Sequence, residues 1–275
     1  MVGYKNHIKT MMSFLLIIVC FSSFSQEWIN NDLEVFSEYR KWGFSIIPVL
    51  YNKGKTTKDY GFLDLKTKRM YSFQIGVERH FWNTKKWGAS VGFKVGLLPY
   101  SNHSFYLKAE DIPNDFGEYE ESTITEFSQP YIIIPINVEY KKKIAKKSYF
   151  NMSIGVNMNI GISSRDESVT RFISEELGEV IEIREVFAHY LFTPEGVQYS
   201  ATFSAGVYFV LKKCLIRTNI LYNKNFKNVW RGEYQFGNLL VSEPTRGDYT
   251  VSGDYFGLST TVFFKKRNKK KMLRN

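Results

Sequence analysis

The sequence predicts an all-β chain, an eight-stranded antiparallel up-and-down transmembrane β-barrel with short periplasmic turns and long external loops. Three observations carry that expectation. Apolar residues recur at every second position in eight separate segments, which is the period of a strand and not of a helix. The faces opposite them are mostly Gly, Ser, Thr and Asn rather than long charged residues. The connectors between segments alternate between short and long, as they do in membrane barrels.

The first residues read as an export signal. Lys5 and Lys9 precede the apolar run Phe14 to Phe21, and Ser23 and Ser25 stand three and one positions before a cut ahead of Gln26. That is a basic, an apolar and a small-residue region in order, so residues 1–25 are expected to be a cleaved signal peptide. The apolar run is too short for a spanning helix. Cys20 follows Val19, where a lipoprotein signal wants a small residue. After cleavage Cys214 is the sole cysteine, so no intramolecular disulfide holds the chain together. Residues 26–41 form an N-terminal periplasmic segment, 42–264 the barrel and 265–275 a basic tail.

The strands follow in order. In the first, Trp42, Phe44, Ile46 and Leu50 oppose Gly43, Ser45 and Val49. In the second, Tyr71, Phe73, Ile75 and Val77 oppose Ser72, Gln74, Gly76 and Glu78. In the third, Trp87, Ala89, Val91, Phe93, Val95 and Leu97 oppose Gly88, Ser90, Gly92, Lys94 and Gly96. The fourth sets Ile134, Ile136, Val138 and Tyr140 against Pro135, Asn137 and Glu139. The fifth, Phe150 to Ile162, has seven apolar residues on one face and Asn151, Ser153, Gly155, Asn157, Asn159 and Gly161 on the other. The sixth, Val197 to Phe209, opposes Gln198, Ser200, Thr202, Ser204 and Gly206. The seventh sets Ile216, Thr218, Ile220 and Tyr222 against Arg217, Asn219 and Asn223. The last sets Phe256, Leu258, Thr260, Val262 and Phe264 against Gly257, Ser259 and Thr261.

A soluble sandwich or lipocalin buries its apolar face and exposes charge. Small polar residues instead suit the inside of a narrow barrel, with the apolar face turned to lipid. The connectors at 83–86, 141–148 and 212–213 are short; those at 53–69, 101–130, 164–196 and 224–254 are long. Aromatic residues cluster at the strand ends as two girdles. Trp42, Trp82, Trp87, Tyr140, Tyr149, Phe209 and Phe264 mark one boundary, and Tyr51, Tyr71, Tyr100, Tyr131, Tyr199 and Tyr222 the other. Within the long connectors, Phe236-Gly237-Asn238-Leu239 and Leu177-Gly178 are placed to turn small hairpins.

Three segments carry a family resemblance: the signal end Phe24-Ser25-Gln26, the strand Ile132-Ile133-Ile134-Pro135-Ile136-Asn137-Val138-Glu139-Tyr140, and the closing Tyr255-Phe256-Gly257-Leu258-Ser259. With these the chain resembles the outer-membrane β-barrel domain family of Bacteroidota. The resemblance covers most of the mature chain and implies a fold and an outer-membrane location, with little about mechanism. The basic tail after Phe264 departs from barrels that finish on an aromatic residue.

Glu78, Lys94, Glu139 and Arg217 are the charges predicted to face inward, and they form the candidate site. An eight-stranded barrel is just filled by its side chains. Opposite charges inside it are expected to pair as a lumen polar network and close it, since an unpaired buried charge is costly. A gated narrow pore is the competing reading of the same residues. His80 is expected inside near one rim, with His103 and His189 in external loops. No two of them share a metal-ligand spacing, so no metal and no cofactor is expected. His103 and Ser104 are adjacent near the outer surface, where a lipid A-modifying barrel enzyme would work. Neighbouring strand residues point to opposite faces, and no catalytic residue is assigned.

Charge is uneven. The short turns carry Lys85, Lys86, Lys141, Lys142, Lys143, Lys146, Lys147, Lys212 and Lys213, and the tail runs from Lys265 to Arg274, with no acid among them. The connector from Glu110 to Glu126 is acidic, without Lys or Arg, and offers itself to a divalent cation or a basic partner. The net charge of +10 matches no nucleic-acid motif. Basic turns against outer-membrane lipid headgroups account for it. The expected function is non-enzymatic, structural or through an envelope protein partner. The alternatives are a pore, a lipid-modifying enzyme and a soluble lipocalin-like binder.

Overall fold

Val, Ile, Phe and Tyr at alternating positions fit a pleated surface and disfavour a helix, whose faces repeat every three to four residues. The chain obeys this almost throughout. The structure, a computed structural model, describes residues 32–81, 84, 86–99, 102–111, 119–124, 128–161, 165–176, 179–192 and 197–266. The signal peptide, residues 26–31, Trp82, Tyr100 and the tail past Lys266 lie outside the described residues.

A short helix, α1 (Asp32–Ser37), leads into β1 (Tyr39–Tyr51), β2 (Lys55–Tyr60), β3 (Lys66–Thr67) and β4 (Met70–Phe81). Then come β5 (Trp87–Pro99), β6 (Asn102–Leu107), a single 3-10 turn (Ala109–Asp111), β7 (Tyr119–Ile124), β8 (Ser128–Ala145) and β9 (Ser148–Gly161). The remaining strands are β10 (Arg165–Glu176), β11 (Glu179–Phe192), β12 (Val197–Val210), β13 (Cys214–Asn225), β14 (Trp230–Phe236), β15 (Thr245–Val251) and β16 (Tyr255–Lys265). Among the described residues no helix is long and apolar enough to cross a membrane.

Eight of these strands close a barrel in the order β1-β16-β13-β12-β9-β8-β5-β4. Every neighbour is antiparallel, and β1 seals the wall by pairing with both β4 and β16. These are the eight segments that alternation predicts, so the chain is an all-β, eight-stranded antiparallel barrel. The turn between β8 and β9 is tighter than expected, because β8 runs to Ala145.

The wall is inverted relative to a soluble protein. Trp42, Phe44, Ile46, Phe73, Ile75, Val91, Phe93, Ile136, Met152, Phe203, Ile220 and Phe256 are all exposed on the outside. Ser45, Gln74, Glu78, Asn151, Asn157, Ser200, Asn219 and Thr261 are buried inside. Glycine makes room for this filling at Gly206, where a Cβ would collide with the Thr218 carbonyl oxygen and the Asn219 side chain.

The long connectors differ from the expectation of loops. Beyond one rim the strands continue as two separate sheets, β10-β11-β14-β15-β2 and β3-β6-β7. Their orders repeat those of the barrel strands that feed them, so the wall splits and each part carries on outward. The chain is reduced to short breaks at the rim, and Asp254 braces one of them. Its carboxylate accepts from the Asn225 amide at 2.8 Å and pairs with Lys224 at 2.6 Å. Both anticipated strand pairs form, although β14 and β15 are joined by a connection, 237–244, longer than the turn expected at 236–239. β10 pairs with β11 around residues 177–178, which lie outside the described residues. β14 pairs with β15, and Asn238 adopts a left-handed φ of 54° in their connection, a conformation that Asn tolerates.

Candidate functional site

The interior is stacked in layers, and each layer follows from residues of one parity on several strands. At the short-turn end, α1 delivers Phe36 into the barrel mouth. Its ring meets Tyr149 and Tyr208 edge-on, with centroids 5.0 and 5.3 Å apart. Tyr39, Leu215 and Phe263 complete this apolar stopper. Tyr149 is therefore an interior residue, not a girdle residue; it shares parity with Asn151 and Ser153. Lys141, on the same inward face, is buried, with its ammonium 4.6 Å from the Phe36 ring centroid.

Above the stopper sits the charged layer. Glu78 is its hub: Oε1 lies 2.8 Å from Lys94 Nζ and Oε2 lies 2.6 Å from Arg217 Nη2. Arg217 Nη2 also donates to Thr261 Oγ1 at 3.2 Å. His80, two residues along β4 from Glu78 and fully buried, joins the remaining member. Its Nε2 stands 3.2 Å from Glu78 Oε2 and 3.4 Å from Arg217 Nη1, between an acceptor and a donor. Its Nδ1 faces Glu139 Oε2 at 3.6 Å. All four sequence-predicted residues, Glu78, Lys94, Glu139 and Arg217, are brought together in this layer. The sequence placed His80 on the inward face, where it is buried, but did not count it in the network. Glu139 does not touch Lys94 or Arg217 through an ion pair among the described residues; the imidazole stands between.

The next layer is neutral. Ser153 and Ser204 hydroxyls lie 2.7 Å apart, and Asn219 donates to Ser204 at 2.9 Å. Asn157 donates to Asn223 Oδ1 at 2.8 Å, which Ser200 also reaches at 2.9 Å. Amides can both donate and accept, so such a ladder carries many hydrogen bonds without net charge, although Asn219 Oδ1 is left without a partner among the described residues. Between the charged and neutral layers lies a cavity of about 30 Å³, lined by Lys94, Arg217, Asn137, Asn219 and Ser259 among others. That is room for about one or two waters.

Tyrosines close the far side. Tyr51 and Tyr131 hydroxyls are 2.7 Å apart, and Gln74 donates to Tyr131 at 2.9 Å. Both tyrosines point into the lumen rather than to an outer girdle, since Tyr51 shares parity with Val49 and Tyr131 with Ile133. Tyr71 and Tyr199 do face outward. Above them the two outer sheets enclose an apolar core. Leu65, Phe105 and Leu107 from one side meet Trp230, Tyr234, Phe236, Tyr249 and Val251 from the other. Phe105 and Phe236 are in edge contact at 5.1 Å.

The other candidates fall out differently. His103 and Ser104 are both buried in β6, where burial pushes His103 down to about 4. This neutral imidazole is part of the sheet packing. His189 lies in β11, and its side chain is outside the described residues. In the acidic connector, Asp111 is buried and engaged. It accepts from the Ser242 amide at 2.6 Å and the Ser242 hydroxyl at 2.7 Å, tying the 3-10 turn to the β14–β15 connection. Asp115 and most of that connector lie outside the described residues. Among the described residues no cluster of three metal-ligating side chains occurs.

No protein-family model matches the chain, and no curated protein does. Solved structures resemble it in outline. The crystal structure of the outer membrane protein OprG from Pseudomonas aeruginosa aligns over 83% of this chain and 98% of its own, at 10% identity and a TM-score of 0.38. A deltaS2 mutant of the TodX monoaromatic hydrocarbon channel aligns over 87% of this chain and 62% of its own, at 11% identity and a TM-score of 0.31. Likenesses this distant transfer no activity, and the site is read from its own geometry.

Proposed function

We propose that this protein is an outer-membrane β-barrel, exported through the cleaved segment 1–25, whose lumen is a sealed polar core and whose role is structural or interactive rather than enzymatic. The observation that carries the reading is the layered lumen. A charged layer centred on Glu78, an amide–hydroxyl ladder and a tyrosine layer line it, around a cavity of about 30 Å³. A belt of outward aromatic and aliphatic residues around the same strands supports residence in lipid. The basic short turns favour the periplasmic side for that rim, and the two outer sheets then become the surface offered to an envelope partner.

The test has two parts. The mature protein is expected in the outer-membrane fraction, resistant to carbonate and shifted on gels by boiling. Reconstituted in planar bilayers it is expected to conduct little. Recovery from the soluble periplasm would bring back a lipocalin-like binder, and steady ion-selective conductance would make it a pore. Sidedness is read from a cysteine at Asn238, which should label on whole cells, and one at Lys142, which should not.

A further inference from the structure

Near the short β4–β5 turn, the outer wall departs from alternation. Arg40, Lys41 and Trp42 are three consecutive exposed residues, because β1 shifts register against β16 between Tyr39 and Gly43. Trp42 pairs with Arg79 on β4. Arg79 is also exposed, on the face that carries Tyr71, Phe73, Ile75 and Val77. Its guanidinium carbon lies 5.8 Å from the Trp42 ring centroid and 5.1 Å from that of Phe81. Among the described residues none of Arg40, Lys41 and Arg79 has a carboxylate partner, whereas nearby Lys265 pairs with Glu38 at 2.6 Å.

Among the described residues, three cations without a carboxylate partner therefore stand beside the apolar track of β1 and β4. Val77 and Phe44 follow two residues further in, roughly 7 Å along the strands. An arginine is strongly disfavoured at mid-bilayer and tolerated at the interface, which fixes the depth of this cluster. The guanidinium stands over both rings. Its N–H edge remains for a bidentate oxyanion, the geometry that arginine supplies and lysine does not.

We propose that Arg79, held by Trp42 and Phe81 and flanked by Arg40 and Lys41, is a binding site for the phosphate of a phospholipid in the leaflet at the short-turn end. The acyl chains of that lipid lie along Val77, Ile75, Phe44 and Ile46. Free phosphate shares the oxyanion chemistry but gains nothing from that apolar track. The proposal rests on the membrane-barrel reading, so the experiment separates the two.

The refolded barrel is first inserted into neutral phosphatidylcholine vesicles and checked by its boiling-dependent gel shift. It is then titrated in detergent micelles with phosphatidylglycerol, and retained lipid is counted by native mass spectrometry. Arg79→Gln is expected to weaken retention about ten-fold, the order expected when charge-assisted hydrogen bonds are lost. Arg40→Gln with Lys41→Gln should weaken it less, and Lys227→Gln at the opposite rim should leave it unchanged. Equal retention by all variants would overturn the site, and so would displacement of the lipid by equimolar inorganic phosphate. Failure to insert into vesicles would remove the membrane reading and this site with it.

Discussion

Arg217 on β13 and Glu78 on β4 meet at 2.6 Å across the lumen, although β1 and β16 separate their strands in the wall and 139 residues separate them in the chain. The pair bridges strands three places apart around the eight-stranded wall, so it acts as a strut as well as a neutralised charge. Its neighbours Lys94, His80 and Thr261 all converge on these two groups.

Breaking that strut should cost more than losing an ordinary hydrogen bond. Removing one partner of a buried pair costs roughly 3–5 kcal/mol, reduced here by lumen water. Arg217→Met and Lys94→Met are therefore expected to destabilise the barrel well beyond Ser204→Ala, which forfeits about 1 kcal/mol of neutral hydrogen bonding. Urea unfolding in vesicles, followed by tryptophan fluorescence, measures all three. Equal losses would mean that the charges are not coupled. Bilayer leakage should rise for Arg217→Met and Lys94→Met and not for Ser204→Ala.

The α1 stopper should be separable from the charged layer. Phe36→Ala removes the ring that packs on Tyr149 and Tyr208, a change that typically costs about 3 kcal/mol when the ring is buried. Opening the mouth should let an amine-reactive reagent reach Lys141 about ten-fold faster than in the wild type, as local unfolding of a small terminal unit would. Peptide mapping of labelled Lys141 against exposed Lys142 reads this directly. An unchanged ratio would show that Phe36 does not guard the lumen.

Asp111 should hold the outer sheets together without supporting the barrel. Asp111→Ala strips the Ser242 amide and hydroxyl of their acceptor, a local loss of about 2 kcal/mol for bonds to a charged group. Protease cleavage within 237–244 should accelerate, while the boiling-dependent gel shift stays as it was. Global unfolding of the barrel would contradict this division.

Acid should loosen the β6 sheet through His103. Burial lowers this imidazole to about 4, against an ordinary value of about 6.5 in the unfolded chain. Above about 6.5 both states are neutral and His103 has no effect. As pH falls from about 6.5 to 4, only the unfolded segment gains a proton, so stability drops by up to about 3 kcal/mol and then levels off. Hydrogen exchange of β6 across that range should show the decline in wild type and lose most of it in His103→Gln. A pH-independent wild type would show that the ring is not protected from solvent.

Alternation determined the eight strands, and the small polar residues opposite the apolar ones pointed to a barrel. In Phe150–Ile162 and Val197–Phe209 each residue's parity fixes its face, because a strand has a two-residue period. The same rule was sufficient to place Glu78, Lys94, Glu139 and Arg217 inside. Applied to Tyr51, Tyr131 and Tyr149 it also turns them inward, against the expectation from strand ends that they were girdle residues. Parity says nothing about depth or about which strands oppose one another across the lumen. Only the closed wall, with its register and stagger, brought Arg217 to Glu78 and set His80 between Glu78 and Glu139. The outer sheets were hidden for a related reason. Leu65, Phe105 and Phe236 lie in short segments whose pairing depends on contacts far away in the chain, and local sequence cannot encode a core that forms only when two sheets face each other.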